Sequence, residues 1–298
     1  MDGILSSLRN SIEHFNASTQ TSKVVSSLSE PNFLPRNLVA CVRSPGSAIS
    51  LKKKYDSADV TVLAHENVRG VKQADLVILG VEPSVVGEVL AEPGMRDALT
   101  SKMLVSFVGG VSIRMLEEAI YGQDSPSELE SDARKRCQII RVIPSTAAAV
   151  RGSFTLVIEE KGHRYPPQLL SKITSLFLRV GSVRKVPDSM GHIGATLSAS
   201  SPAFFALALE GAVDGAVELG MDRAAASEMT AAAMRGAADL VAYGESPDEV
   251  RRKIATPGGS TAVGLNLLEE AGVKQSMQQA IVKTAIRVGG LGQKSVEG

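Results

Sequence analysis

The chain has 298 residues, 44% of them hydrophobic, with 32 basic side chains balanced by 32 acidic ones. That length is comfortable for two domains, and a net charge of zero gives no long-range pull on nucleic acid or an anionic membrane, so neither is expected as a partner. Two cysteines, Cys41 and Cys137, cannot build a disulfide framework, and the four scattered histidines (His14, His65, His163, His192) lack metal-ligand spacing, so no metal is expected.

The first residues, Met1 to Leu5, show no basic stretch followed by an apolar one, so no secretory signal is expected. The longest apolar run, Pro202 to Val213, is broken by Glu210 and falls short of the ~20 residues of a membrane span. The expected setting is reduced and cytoplasmic. Residues 16–37, rich in Ser, Thr, Asn and Pro, read as a polar loop, as do residues 121–136. Strands are expected at Leu38–Val42, Val60–Leu63, Asp75–Val81, Met103–Val108, Gln138–Ile143, Phe154–Glu159 and Val183–Val186. Leu76-Val77-Ile78-Leu79 and Leu104-Val105-Ser106-Phe107 are apolar without alternation, which suits strands covered on both faces. Pro83–Ala98 and Ser112–Ile120 have the length of crossover helices, and the alternation argues for a doubly wound α/β domain over residues 1–186.

Residues 187–298 read as helix. Asp222 can cap a helix running to Tyr243 with Gly244 at its stop; Ser246-Pro247-Asp248-Glu249 forms a capping box with proline at the first helical position. Thr256-Pro257 ends that short helix, Gly258-Gly259 lead into another through Ala271, and Val273–Val288 is one more. Ala203–Leu219 is apolar or small on nearly every side, a pattern explained by subunit pairing or by burial within one chain.

Neither G-x-G-x-x-G after a first strand nor a G-x-x-x-x-G-K-[ST] loop is present. Arg43-Ser44 follows the first expected strand, where an arginine suits the 2′-phosphate of NADP, although an arginine in such a place is often simply solvated. Thr256-Pro257-Gly258-Gly259-Ser260-Thr261 opens a helix whose first N–H groups can cradle an anion such as a carboxylate; a purely structural Gly-rich turn fits equally.

The run Thr256–Gly264 with Leu268-Glu269-Glu270 resembles the signature of the pyrroline-5-carboxylate reductases. The likeness continues in Ala74–Pro83, in Ser106-Phe107-Val108-Gly109-Gly110-Val111, in Arg141–Thr146 and in Leu197–Phe204, covering the chain from about Arg36 to Gly290. The resemblance implies a Rossmann-like sheet followed by an all-helical dimerisation domain, NADP(H) as cofactor, and reduction of a cyclic imino acid to proline within a homo-oligomer. It implies cofactor contacts at Arg43, Ser44, Asn67, Val81, Pro83 and Gly109, substrate contacts at Thr256, Gly259, Ser260 and Thr261, and a catalytic role for Thr261 at the ring nitrogen. Asn67 also reads as a simple helix cap, and Glu245, at a family acidic position, also reads as a surface residue.

The chain departs from the family pattern at several places. Glu82 stands for the usual lysine and Ser145 for an asparagine, Ala199 and Ser201 replace glycines, and Arg252-Lys253 replaces an acidic residue and an asparagine. Met1–Leu8 reads as the middle of the family's first helix, so the strand and Gly-rich turn ahead of it are expected to be missing. That predicts unpaired strand edges, weak NADPH binding and slow turnover, and leaves a non-catalytic, oligomerising family member as the alternative.

Overall fold

In a computed structural model of the chain, residues 37–55, 60–122, 135–163 and 165–290 are described. Strands β1 (Leu38–Val42) and β2 (Val60–Ala64) pair in parallel, with helix α1 (Pro45–Lys54) between them. Helix α2 (Asn67–Gln73) leads to β3 (Leu76–Leu79), and β4 (Met103–Ser106) and β5 (Gln138–Ile143) follow in parallel register. The chain then doubles back. Strand β6 (Ser153–Glu159) is antiparallel to β5, and β7 (Gly181–Pro187) runs parallel to β6. Among the described residues the ladders form a two-stranded sheet, β1-β2, and a five-stranded sheet, β3-β4-β5-β6-β7. There β1 and β3 each have a single strand partner. The expected first-helix segment at Met1–Leu8 and the loop at 16–36 lie outside the described residues, as does the middle of the loop at 121–136.

The unalternating strands are explained by burial on both faces. Leu79, Leu104 and Ile139 pack with Leu90, Met95, Ile113 and Leu116 on one side. Val105, Ile140 and Val157 pack with Leu169, Ile173 and Phe177 on the other, where helix α6 (Pro167–Leu178) lies. Neighbours such as Leu104 and Val105 point to opposite faces, so both must be apolar.

The expected crossover helix Pro83–Ala98 is broken into a 3-10 turn at Pro83–Val85 and two short helices, α3 (Val86–Leu90) and α4 (Met95–Ala98). The reason is Pro93-Gly94: Gly94 adopts φ 86, which no α-helix interior accepts. Helix α5 (Ile113–Tyr121) is capped by Ser112, whose hydroxyl accepts the Met115 N–H at 3.2 Å. Tyr121, expected in a loop, ends this helix instead; its hydroxyl accepts the Cys137 N–H at 2.9 Å and the Arg136 guanidinium lies 4.5 Å from its ring centre. Burial pushes the Cys137 thiol up to about 12, so it behaves as a core residue.

Arg141 on β5 is buried, and its Nη1 donates to Glu160 at 2.7 Å and to Asp188 at 2.8 Å. The Glu160 carboxylate also accepts the Ile113 N–H at the start of α5. Asp188 opens α7 (Asp188–Ala195), which lies close on β6 because Gly191 and Gly194 expose bare backbone to Ile158 and Leu156. A π-helical turn, Thr196–Ser200, joins α7 to α8 (Ser201–Glu218). The resulting run from Asp188 to Glu218 spans 31 residues and has the length and composition to cross a membrane, where no such segment was expected. The stretch grows because α7 continues through the π turn, while its first part is committed to the sheet.

The chain divides into two compact units, one reaching Ala199 and taking up the chain again from Arg287, the other Ser200–Ile286. The expected break after residue 186 therefore falls at the join of β7 and α7, whose packing on the sheet keeps it in the first unit. In the second unit, α8 pairs with α9 (Arg223–Ala242), and α10 (Pro247–Ile254), α11 (Ser260–Glu270) and most of α12 (Val273–Gly290) follow. The punctuation matches the sequence: Asp222 caps α9, Gly244 takes φ 111 after it, and both halves of the Ser246–Glu249 capping box form.

Lys102 closes the C-terminus of α2. Its Nζ donates to the carbonyls of Val71 at 2.6 Å, Lys72 at 2.9 Å and Ala74 at 2.6 Å, where a cation also complements the helix dipole. Lys102→Met should lower stability by about 2–3 kcal/mol, read as a lower urea midpoint with unchanged slope.

Candidate functional site

In the first unit the residues implied for the cofactor lie at or just past the C-terminal ends of parallel strands, where open α/β sheets bind ligands. Arg43 follows β1, is exposed and has no ion pair among the described residues. Ser44 caps α1: its hydroxyl accepts the Ser47 N–H at 3.1 Å and shares a hydrogen bond with the Ser47 hydroxyl at 2.9 Å. Pro45 sits at the first helical position, and the first turn carries no acid. Ser47 was not singled out by the sequence reading; its spacing of three from the cap was the available signal.

Asn67 is not a cap. Glu66 occupies that position, and Asn67 is the first residue of α2, with its side-chain amide donating to Glu92 at 3.1 Å. Glu66 in turn pairs with Arg69 at 2.7 Å. Val81 and Pro83 form the turn after β3, with the Glu82 side chain exposed between them. Gly109 follows β4, and a Cβ built there meets nothing within 4 Å. Protein packing therefore does not require glycine at 109, which leaves space against bare backbone for a ligand. An uncompensated arginine, two hydroxyls at a helix start and this open glycine fit a phosphorylated dinucleotide.

In the second unit, α10 runs directly into the turn that opens α11. Gly258 takes φ 76, and a Cβ on Gly259 would stand 2.7 Å from the Thr256 hydroxyl, so each glycine is required, for a different reason. The Gly259 N–H donates to the Thr256 carbonyl at 3.0 Å. It is therefore occupied, contrary to the expectation that it serves a ligand. Gly259 caps α11 without any side-chain hydrogen bond, and the Ser260 and Thr261 amides, first in the helix, have no backbone acceptor among the described residues. With the exposed Ser260 and Thr261 hydroxyls, they leave a helix start whose donors face outward without partners among the described residues.

Glu245 is no plain surface residue. Its side chain is only 26% exposed, and the Lys253 ammonium stands 2.9 Å from Oε2. That approach is off the hydrogen-bonding axis, so the buried oxygen has a compensated charge and no hydrogen bond. The basic residues that depart from the family pattern are taken up locally. Arg252 pairs with Asp248 at 2.8 Å, and Arg251 bridges Asp248 and Glu269 at 2.9 Å each, tying α10 to α11. Hydrogen bonds from the Ser246 backbone and side chain hold the Glu249 carboxyl below its ordinary range.

Residues 188–291 match the family model described as pyrroline-5-carboxylate reductase dimerisation, and residues 19–110 match the one described as NADP oxidoreductase, coenzyme F420-dependent. A pyrroline-5-carboxylate reductase of Lophium arboricola is 37% identical over 303 residues, an alignment covering 100% of this chain and 90% of that protein. The chain belongs to the pyrroline-5-carboxylate reductase family. The family enzyme of Neurospora crassa is 36% identical, with 90% of this chain and 85% of that protein covered. Among solved structures, the Plasmodium falciparum pyrroline carboxylate reductase with NADP bound superposes with a TM-score of 0.74 at 20% identity, covering 98% and 94% of the two chains. The Streptococcus pyogenes 1-pyrroline-5-carboxylate reductase gives 0.72 at 23% identity, covering 97% and 95%. At those identities the likeness establishes the shared fold, a Rossmann-like α/β unit followed by helices.

NADP(H) is the cofactor that this family assignment carries and that the first unit's residues fit. Arg43→Ala should weaken NADPH about tenfold, the loss of one charge-assisted contact, and leave NADH nearly unchanged in a fluorescence titration.

Proposed function

We propose that the chain reduces 1-pyrroline-5-carboxylate, or a substituted analogue, to the corresponding proline in the cytoplasm, as a step of proline biosynthesis. The single observation that carries this reading is the start of α11, where two free amides and two hydroxyls follow a turn of two required glycines. When bound, NADPH supplies the hydride that reaches the imine carbon, while the ring nitrogen keeps or takes a proton. The amides of Ser260 and Thr261, with the Ser260 hydroxyl, hold the substrate carboxylate, and the Thr256 hydroxyl packs behind Gly259. The hydroxyl of Thr261 hydrogen-bonds the ring nitrogen and fixes the face presented to the hydride. Work of this kind is positioning, and its contribution is largest when the reacting atoms are held within van der Waals contact. In the first unit, Arg43 and Ser44 hold the 2′-phosphate, Asn67 lies beside it, and Val81, Pro83 and Gly109 line the path of the dinucleotide.

The second unit supports a homo-oligomer. Leu207 is 71% exposed, Met229 61%, Leu267 67% and Ile286 70%, a density of bare apolar side chains that a lone subunit does not sustain in water. Both described cysteines are free, in keeping with a reducing compartment.

Thr261→Ala should lower kcat about tenfold, since it removes one hydrogen bond made to the reacting ring, with melting temperature and particle size unchanged. Unaltered turnover would return the turn to a structural role. Light scattering on the intact chain should give at least a dimer at micromolar concentration. Failure of the chain to quench NADPH fluorescence, with the oligomer intact, would favour a non-catalytic family member.

A further inference from the structure

Strand β2 ends on Ala64, and the next residue, His65, holds a left-handed backbone at φ 57. Histidine is among the few side chains that adopt this region with any frequency, and here the conformation turns the chain out of the strand edge. The His65 N–H donates to the carbonyl of Val42, the last residue of β1, at 3.1 Å, one step beyond the register pair Val42–Ala64. The backbone of His65 is thereby fixed beside the peptide that joins Val42 to Arg43. Both His65 and Arg43 are exposed, and both stand at the ligand-binding edge of parallel strands.

The charged residues nearest in chain and register are Arg43 after β1, Glu66 at the cap of α2 and Arg69 in its first turn, with Glu92 held against Asn67. The two acids are engaged: Glu66 pairs with Arg69 at 2.7 Å, and Glu92 accepts from Asn67 at 3.1 Å. The balance beside Arg43 is therefore open to an anion. An imidazole there adds a second hydrogen-bond donor.

We propose that His65 is a specificity-determining residue, a second hydrogen-bond donor of the NADP(H) 2′-phosphate site, acting with Arg43 to favour NADPH over NADH. A phosphate monoester near neutral pH carries close to two negative charges and three acceptor oxygens, more than one arginine satisfies. NADH lacks the group, so His65 has no acceptor to meet in that complex. This inference rests on Arg43 and Ser44 holding the phosphate.

The test is fluorescence titration of the full chain with NADPH and with NADH. His65→Gly keeps the left-handed backbone and removes the imidazole; it should weaken NADPH about fivefold and leave NADH unchanged. His65→Lys should restore NADPH affinity. Equal weakening of both cofactors by His65→Gly, the signature of packing against the adenine, would overturn the proposal, as would no change in either. Arg43→Ala separates the levels. If it weakens both cofactors alike, the phosphate placement itself fails; if it acts on NADPH alone while His65→Gly is silent, only the role of His65 fails.

Discussion

The first unit is organised around one buried guanidinium. Arg141 stands in the middle of β5 with its side chain 10% exposed, and a charge so placed is tolerable only if it is paired and hydrogen-bonded. Its two carboxylate partners come from different parts of the chain. Glu160 arrives at the end of β6 and also accepts the first amide of α5; Asp188 arrives at the end of β7 and opens α7. Removing Arg141 or Glu160 breaks the buried pair, which typically costs about 3–5 kcal/mol; Asp188 is half exposed, and its loss leaves the Arg141–Glu160 pair in place. The antiparallel return of β6, the placement of α5 and the direction in which the chain leaves the sheet all follow from satisfying this group. Beside it the Tyr165 hydroxyl is buried without a hydrogen-bond partner among the described residues, and burial pushes it well above its usual range.

The two candidate sites are built by different local devices. In the first unit a serine-capped helix start, with no acid in its first turn, lies beside the exposed Arg43. In the second, two glycines bring a helix start to the surface with its amides free, and the short α10 ahead of it is held by a capping box and by Arg251 reaching Glu269. Substitutions that depart from the family pattern are accommodated by pairs close in sequence, so Arg252 and Lys253 alter the charge around the turn without changing its path.

Chain order and composition were enough to determine the element types. Unalternating runs such as Leu104-Val105 marked strands covered on both faces; Asp222, Gly244, Ser246 and Pro247 marked helix ends; the Thr256–Thr261 string marked the Gly-rich turn that opens α11. These signals are local, and each depends on backbone preferences or burial that a few residues decide among themselves. Tertiary structure decided what depends on residues far apart. Glu160, 47 residues from Ile113, accepts the first amide of α5; Asp188, 47 residues from Arg141, anchors α7 and carries the first unit past residue 186. Asn67 was drawn from a cap into a bond with Glu92, and His65 was fixed beside Arg43 by a carbonyl on another strand. No spacing in the sequence encodes those partners, because each is chosen by which strands become neighbours once both faces of the sheet are covered.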